Sequence, residues 1–275
     1  MRIARRFVVS AFVLAIALFV SAGLAQADDT AWKAAHDTDP HLPLTTQQLE
    51  MAAQKRAAEE LFVSGLAVLP MAAPSATCGS SCDGGGSYPS SASLAANQTP
   101  QATSYYCGPA AVHEALGALG VSLSQSAAAT ALHTTTGGTA WSGGGTSPTG
   151  YPVPDVLNRY QSRNYYAPQP VSSATSSSIN TYENDLEMDV SAIRAPLVGD
   201  AWETPSGYHL VGHPGGQQIF HWFEIRGYYG SGGTTLYEDS VHGATSISWS
   251  GSVPAYSNLP SRQIVSIVGG RGYVW

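Results

Sequence analysis

The hydrophobic period changes partway along the chain, and this limits the fold more than any other feature. Up to about residue 193, apolar residues recur at helical spacing. Ala111, Val112, Ala115, Leu116 and Leu119 form one stripe of a helix over 110–119, with Gly120 placed to end it. Shorter helical patterns cover 122–132 and 154–160. A longer one covers 178–193, with Ile179, Tyr182, Leu186 and Val190 near one face. From residue 221 the period becomes two: His221, Phe223 and Ile225 alternate with Trp222, Glu224 and Arg226. Gly230 to Gly233 reads as a hairpin turn, and 235–238, 245–249 and 262–268 read as further strands. Helices first and strands later predict an α+β domain built on an antiparallel sheet.

The chain has 275 residues, 43% of them hydrophobic, so it can bury a substantial core. Its N-terminus has the three parts of a secretory leader. Arg2, Arg5 and Arg6 supply the charge, an apolar run follows to Leu24, and Ala25-Gln26-Ala27 offers a small-residue cleavage site. Residues 1–27 are therefore expected to be a signal peptide and the mature protein to be exported, rather than anchored by an apolar run that is barely long enough to span. Without that leader, nine basic residues face 19 acidic ones. Such a balance argues against nucleic acid and anionic membranes as partners. It leaves the oligomeric state open.

Residues 28–70 contain both lysines, Lys33 and Lys55, and a helical pattern from Leu49 through Ala52, Ala53, Arg56, Ala57, Glu60 and Leu61 to Ser64. Thr45 and Gln48 predict a capping box, and Leu44 against Leu49 a hydrophobic staple. The segment is read as an N-terminal helical region with a possible pro-segment role, followed over 71–97 by a Ser/Gly/Ala-rich linker. Cys78 and Cys82, in that linker, are expected to pair locally in an exported protein, leaving Cys107 as a free thiol.

Cys107 stands where the 110–119 helix begins, with Pro109 suited to its first turn. Unpaired N–H groups and the helix dipole favour a thiolate there, and the thiolate is the nucleophilic form. A nucleophilic cysteine requires a base. His221 opens a strand and is flanked by apolar groups, and Asp239, one hairpin later, is placed to orient its imidazole. Gln101 is the candidate amide donor to an oxyanion, with Gln98 as its rival. Taken one at a time, each of these residues also reads as ordinary core, turn or linker. Together they form a Cys–His–Asp set. His209 and His213, with Asp200 or Glu203, have ligand chemistry, but Gly207, Gly212 and Pro214 break any helix there, so they read as polar loop residues. No cofactor or metal is called for.

Gln101, six residues before Cys107-Gly108-Pro109-Ala110, then His221-Trp222 on a strand leading to Gly227-Tyr228, then Asp239, resembles the papain-like cysteine peptidases. More narrowly the chain is similar to cysteine peptidase family thirty-nine, the bacteriocin-processing type and its stand-alone secreted relatives. Thr134 to Thr139, Val153 to Tyr160 and Ala195-Pro196-Leu197-Val198 extend the likeness, which covers roughly 98–245. Phe220 stands where the family commonly has Gly, and Ser240 where it commonly has Pro. The resemblance implies a papain-like domain over 98–275, with the nucleophile helix packed on the sheet. It assigns Cys107 as nucleophile, His221 as base, Asp239 as orienter and Gln101 as oxyanion donor, with a peptide or protein as substrate. A non-catalytic binding module on the same fold, and a cell-wall peptidoglycan amidase or endopeptidase, are the alternatives.

Overall fold

The computed structural model describes residues 29–64, 87–143 and 147–275. The leader, Cys78 and Cys82 lie outside the described residues. In chain order the elements are α1 (Thr30–His36), α2 (Thr46–Val63), β1 (Ala92–Ser93), α3 (Cys107–Ala118), α4 (Gln125–Ala131), α5 (Pro152–Tyr160), β2 (Pro168–Pro170) and α6 (Ser176–Glu187), which continues as a π-helical turn over Met188–Ile193. Then come β3 (Leu197–Glu203), β4 (Ile219–Tyr229), β5 (Thr234–Glu238), β6 (Tyr256–Pro260), α7 (Ser261–Ile267) and β7 (Gly272–Val274). No helix among the described residues is long and apolar enough to cross a membrane.

The strands form one antiparallel sheet in the order β2-β7-β3-β4-β5-β6. Beyond β3, β1 takes the same edge of β4, pairing Ala92 with Tyr228 and Ser93 with Gly227. The end of the stretch read as linker is thus part of the sheet. The β4–β5 hairpin turns through Gly230, Ser231 and Gly232, all at positive φ (57°, 52° and 80°).

Both sheet faces are covered, which explains why β4 is buried almost throughout. One apolar cluster joins Phe223, Ile225 and Tyr237 to Tyr182 and Leu186 of α6 and Ile264 and Val265 of α7. On the opposite face Trp222, Val198 and Val274 pack with Ala111, Val112 and Leu116 of α3 and Val153 and Leu157 of α5. The α+β class is as expected.

Three local expectations fail. Residues 262–268 are helical, not extended. Their β-branched content suggests a strand, but Ser261, Ile264, Val265 and Val268 lie at helical spacing and bury one face, so packing overrides propensity. Residues 245–249 form turns, and the outer strand is instead Tyr256–Pro260. The Thr45–Gln48 capping box forms as expected. The Leu44–Leu49 staple does not: Leu44 packs on the α3–α5 cluster and Leu49 is 55% exposed. The buried face of α2 is Gln48, Ala52, Lys55 and Glu59, largely polar and offset from the apolar stripe in the sequence.

Candidate active site

Cys107 is the first residue of α3, and the helix is seated by a close approach at its next residue. A Cβ on Gly108 would lie 2.3 Å from Thr139 Oγ1, so only glycine lets the 134–139 loop close against this helix start. Trp222 Nε1 donates to the Thr139 carbonyl at 3.0 Å and anchors the loop to β4. Cys107 is a free thiol and is partly accessible.

His221, near the start of β4, is buried and lines the same cavity as Cys107, whose side chain acts on its imidazole. Its Nε2 lies 3.1 Å from Asp239 Oδ1, which leaves Nδ1 on the sulfur side. Asp239 follows β5 directly and is held by the Val241 N–H, which donates to Oδ1 at 2.9 Å. The sequence therefore brings together the three residues it nominated. Cys107, His221 and Gln101 line one cavity of about 310 Å³, with Ser104, Phe220, Val241 and Trp249 among its other walls.

Gln101 Nε2 donates to the Thr103 carbonyl at 2.7 Å, and Ser240 Oγ donates to Oε1 at 3.3 Å. The departure at Ser240 thus orients Gln101. An amide nitrogen carries two hydrogens, so one N–H remains to face the cavity. Gln98 is not an equivalent rival: its amide donates to the Asp239 and His242 carbonyls and braces their loop. The other departure, Phe220, is 46% exposed at the cavity rim, under the Arg271 guanidinium 4.1 Å from the ring centroid.

Sequence reasoning missed His213 and Glu203. Their sequence context reads as a polar loop. They are buried instead, and they extend the site. His213 Nε2 lies 2.9 Å from Asp239 Oδ2 and its Nδ1 lies 2.9 Å from Glu203 Oε1. Only Nε2 has hydrogen-bond geometry, to Asp239, but a carboxylate within 2.9 Å of each ring nitrogen favours the imidazolium form of His213. Glu203 also accepts the Leu210 N–H at 2.9 Å and pairs with His209 Nδ1 at 2.7 Å. Trp249 lies edge-on to His213, centroids 4.8 Å apart, and shields the pair from water. The only sequence signal was composition: two histidines and two carboxylates within one glycine-rich loop and its flanks.

The electrostatics follow from this chain of charges. Burial works against the charge on His221, but the Asp239 carboxylate and the Cys107 side chain outweigh it and hold the imidazole well above its usual range. His213 is likewise raised, burial being outweighed by Asp239 and Glu203. Burial would raise Asp239, yet His221 and His213 keep it well below the usual carboxylate range. Glu203 is lowered against the same penalty by His209 and His213.

Two triads among the described residues have the donors and spacing to hold a metal: His213, His221 and Asp239, and separately Glu114, Glu224 and Glu238. In the first, the donors already satisfy one another as ion pairs.

A cysteine at a helix start, facing a strand histidine backed by a carboxylate just past the end of the next strand of an antiparallel sheet, defines the papain-like class of cysteine peptidase folds. Within that class, the model of the Peptidase_C39 like family matches residues 94–256, more than half of the chain, and the protein belongs to that family. No curated protein sequence matches it.

Proposed function

We propose that this protein is an exported thiol hydrolase that cleaves peptide bonds through Cys107, His221 and Asp239. One observation carries the reading: a helix-start thiol and a strand imidazole line one cavity, and the imidazole Nε2 lies 3.1 Å from a buried carboxylate. An imidazolium beside the sulfur favours the thiolate–imidazolium pair. The thiolate attacks the scissile carbonyl carbon. The oxyanion is met by the Cys107 backbone N–H at the start of α3 and by the second N–H of Gln101. His221 then delivers its proton to the leaving amine and afterwards activates the water that hydrolyses the thioester. Asp239 fixes the imidazole orientation, and His213 with Glu203 fixes Asp239. Phe220, Ile219, Ile247 and Trp249 give the cavity an apolar wall, which suits an apolar side chain beside the cleaved bond.

The test is turnover of a mixed peptide library. Wild type is expected to cleave and Cys107→Ala to be inactive, and iodoacetamide at pH 6 is expected to alkylate Cys107 about 10-fold faster than free cysteine. Equal signals from wild type and Cys107→Ala, with only ligand retention, would point to a binding module instead.

A further inference from the structure

Behind the Cys107 cavity lies a second cluster that the proposed chemistry does not use. Glu114 projects from α3, Glu224 from β4 and Glu238 from β5, all fully buried, with one oxygen of each within 4.8 Å of the others. Their hydrogen bonding is incomplete. Glu238 accepts the Asn97 N–H at 3.0 and 3.1 Å, and Glu114 Oε1 accepts the Thr99 N–H at 2.8 Å. Both oxygens of Glu224 and Glu114 Oε2 have no hydrogen-bond donor. Asn97 spends its side-chain NH2 on the Glu114 carbonyl and presents a further buried oxygen, Oδ1, without a partner. Among the described residues the cation paired with the cluster is Arg226, whose Nε stands 3.6 Å from Glu238 Oε1 and itself lacks a hydrogen-bond partner, while the His221 charge, committed to Asp239, acts on Glu114 from farther off.

Three buried carboxylates against one guanidinium leave an excess of two negative charges. Burying such charge without compensation is prohibitive. Protons or a divalent cation must make up the difference. The donor set is all oxygen, which selects a hard ion over zinc or copper. Two Ca–O bonds on opposite sides of an ion span about 4.6–5.2 Å, which fits the spread of these oxygens, and Mg2+ would bring waters into a core packed between three elements.

We propose that Glu114, Glu224 and Glu238 bind one Ca2+. Each ligand sits beside a residue of the Cys107 site: Glu114 two turns along the helix from Cys107, Glu224 on the strand of His221, Glu238 next to Asp239. The ion therefore pins α3, β4 and β5 in the register that faces the sulfur toward the imidazole.

Burial raises all three carboxyls: Glu224, pushed further by the charges of Glu238 and Glu114, and Glu114 lie well above their usual range, while the Asn97 N–H, Arg226 and Glu224 partly offset burial at Glu238 and leave it at about 7. Calcium must displace the protons they hold, and this supplies a readout independent of any mutation and of peptidase turnover. Full-length protein freed of metal with EDTA is titrated with CaCl2 at pH 7 in buffers of different ionisation enthalpy, with MgCl2 in parallel. The expected result is one Ca2+ per chain, release of about one to two protons, a higher melting temperature, and binding at least about 10-fold weaker in Glu224→Gln. No saturable Ca2+ uptake by wild type overturns the proposal. Uptake without proton release also overturns it, since exposed carboxylates are already ionised, and so does unchanged uptake by a folded Glu224→Gln. If Glu224→Gln does not fold, the wild-type titration and its proton count decide alone.

Discussion

At the scale of single residues, burial decides what a polar side chain is for. Glu224 alternates with His221 and Phe223 in the sequence, and alternation by itself would send it to water. It is instead fully buried, because α3 covers that face of β4. His213 shows the same effect in a loop. Its neighbours in sequence, Gly212 and Pro214, say only that the backbone turns there. Its partners Glu203 and Asp239 are 10 and 26 positions away, so no local pattern points to the contact. The expected consequence of His213→Ala is specific. Removing the imidazolium leaves Asp239 and Glu203 buried with one cation fewer, a loss of about 3–5 kcal/mol for a broken buried pair. Without its second partner, Asp239 is also less firmly held against His221. The pH–rate profile should then shift its alkaline limb, which for wild type lies above the ordinary histidine range because His221 is raised. A lower melting temperature with an unmoved alkaline limb would reduce His213 to a stabilising role.

At the scale of elements, α2 teaches that an N-terminal helix can be held by charge rather than by its apolar stripe. Lys55 is buried, with its Nζ 3.0 Å from Asp189 Oδ1 and 4.1 Å from the Trp275 ring centroid. Arg56 adds a second pair to Asp185 at 3.2 Å. Lys33 of α1 donates to the Ser266 carbonyl at 2.8 Å, at the end of α7. Leu44, between the two helices, packs on the α3–α5 cluster, while Ala52 joins the α6–α7 cluster. Residues 29–64 thus strap the two halves together, and none of them lines the Cys107 cavity. The capping box was legible because its four atoms lie within four residues. The buried face was not, because its partners are more than a hundred positions away. Lys55→Ala should strand Asp189 in the core and free α2. Limited proteolysis is expected to cut within 46–63 far faster than in wild type, with the 87–275 body resistant. Equal cutting rates would show that the strap is held by its other contacts.

At the scale of the whole molecule, the buried charges give stability a definite pH dependence. Asp239 and Glu203 have depressed folded values, so their contribution is present above about pH 4 and is lost as the pH falls further. His221 and His213 have raised folded values, so theirs is complete below about pH 6.5 and is lost as the pH rises through those values. Asp185, Glu59 and Glu238, each raised to about 7 with burial the largest cause, act in the same sense as the histidines. In EDTA the melting temperature should peak near pH 4.5–6 and fall by pH 8, and calorimetry across that range is the check. A maximum at pH 8 would mean that these groups are not buried as described. By itself the sequence determined the class of the domain, through its change of hydrophobic period. It also nominated Cys107, His221 and Asp239 as a candidate set, through a helix-start cysteine, a strand histidine and a hairpin that returns a carboxylate to it, with Gln101 singled out by the family resemblance. Those features are local, or one hairpin apart, and local backbone preferences encode them. Only the tertiary structure decided the rest: which polar side chains are dry, that His213 bridges two carboxylates, that three glutamates converge behind the nucleophile helix, and that both lysines are buried. Each depends on which surfaces meet when helices and sheet pack, and that is a property of long-range contact rather than of any stretch of chain.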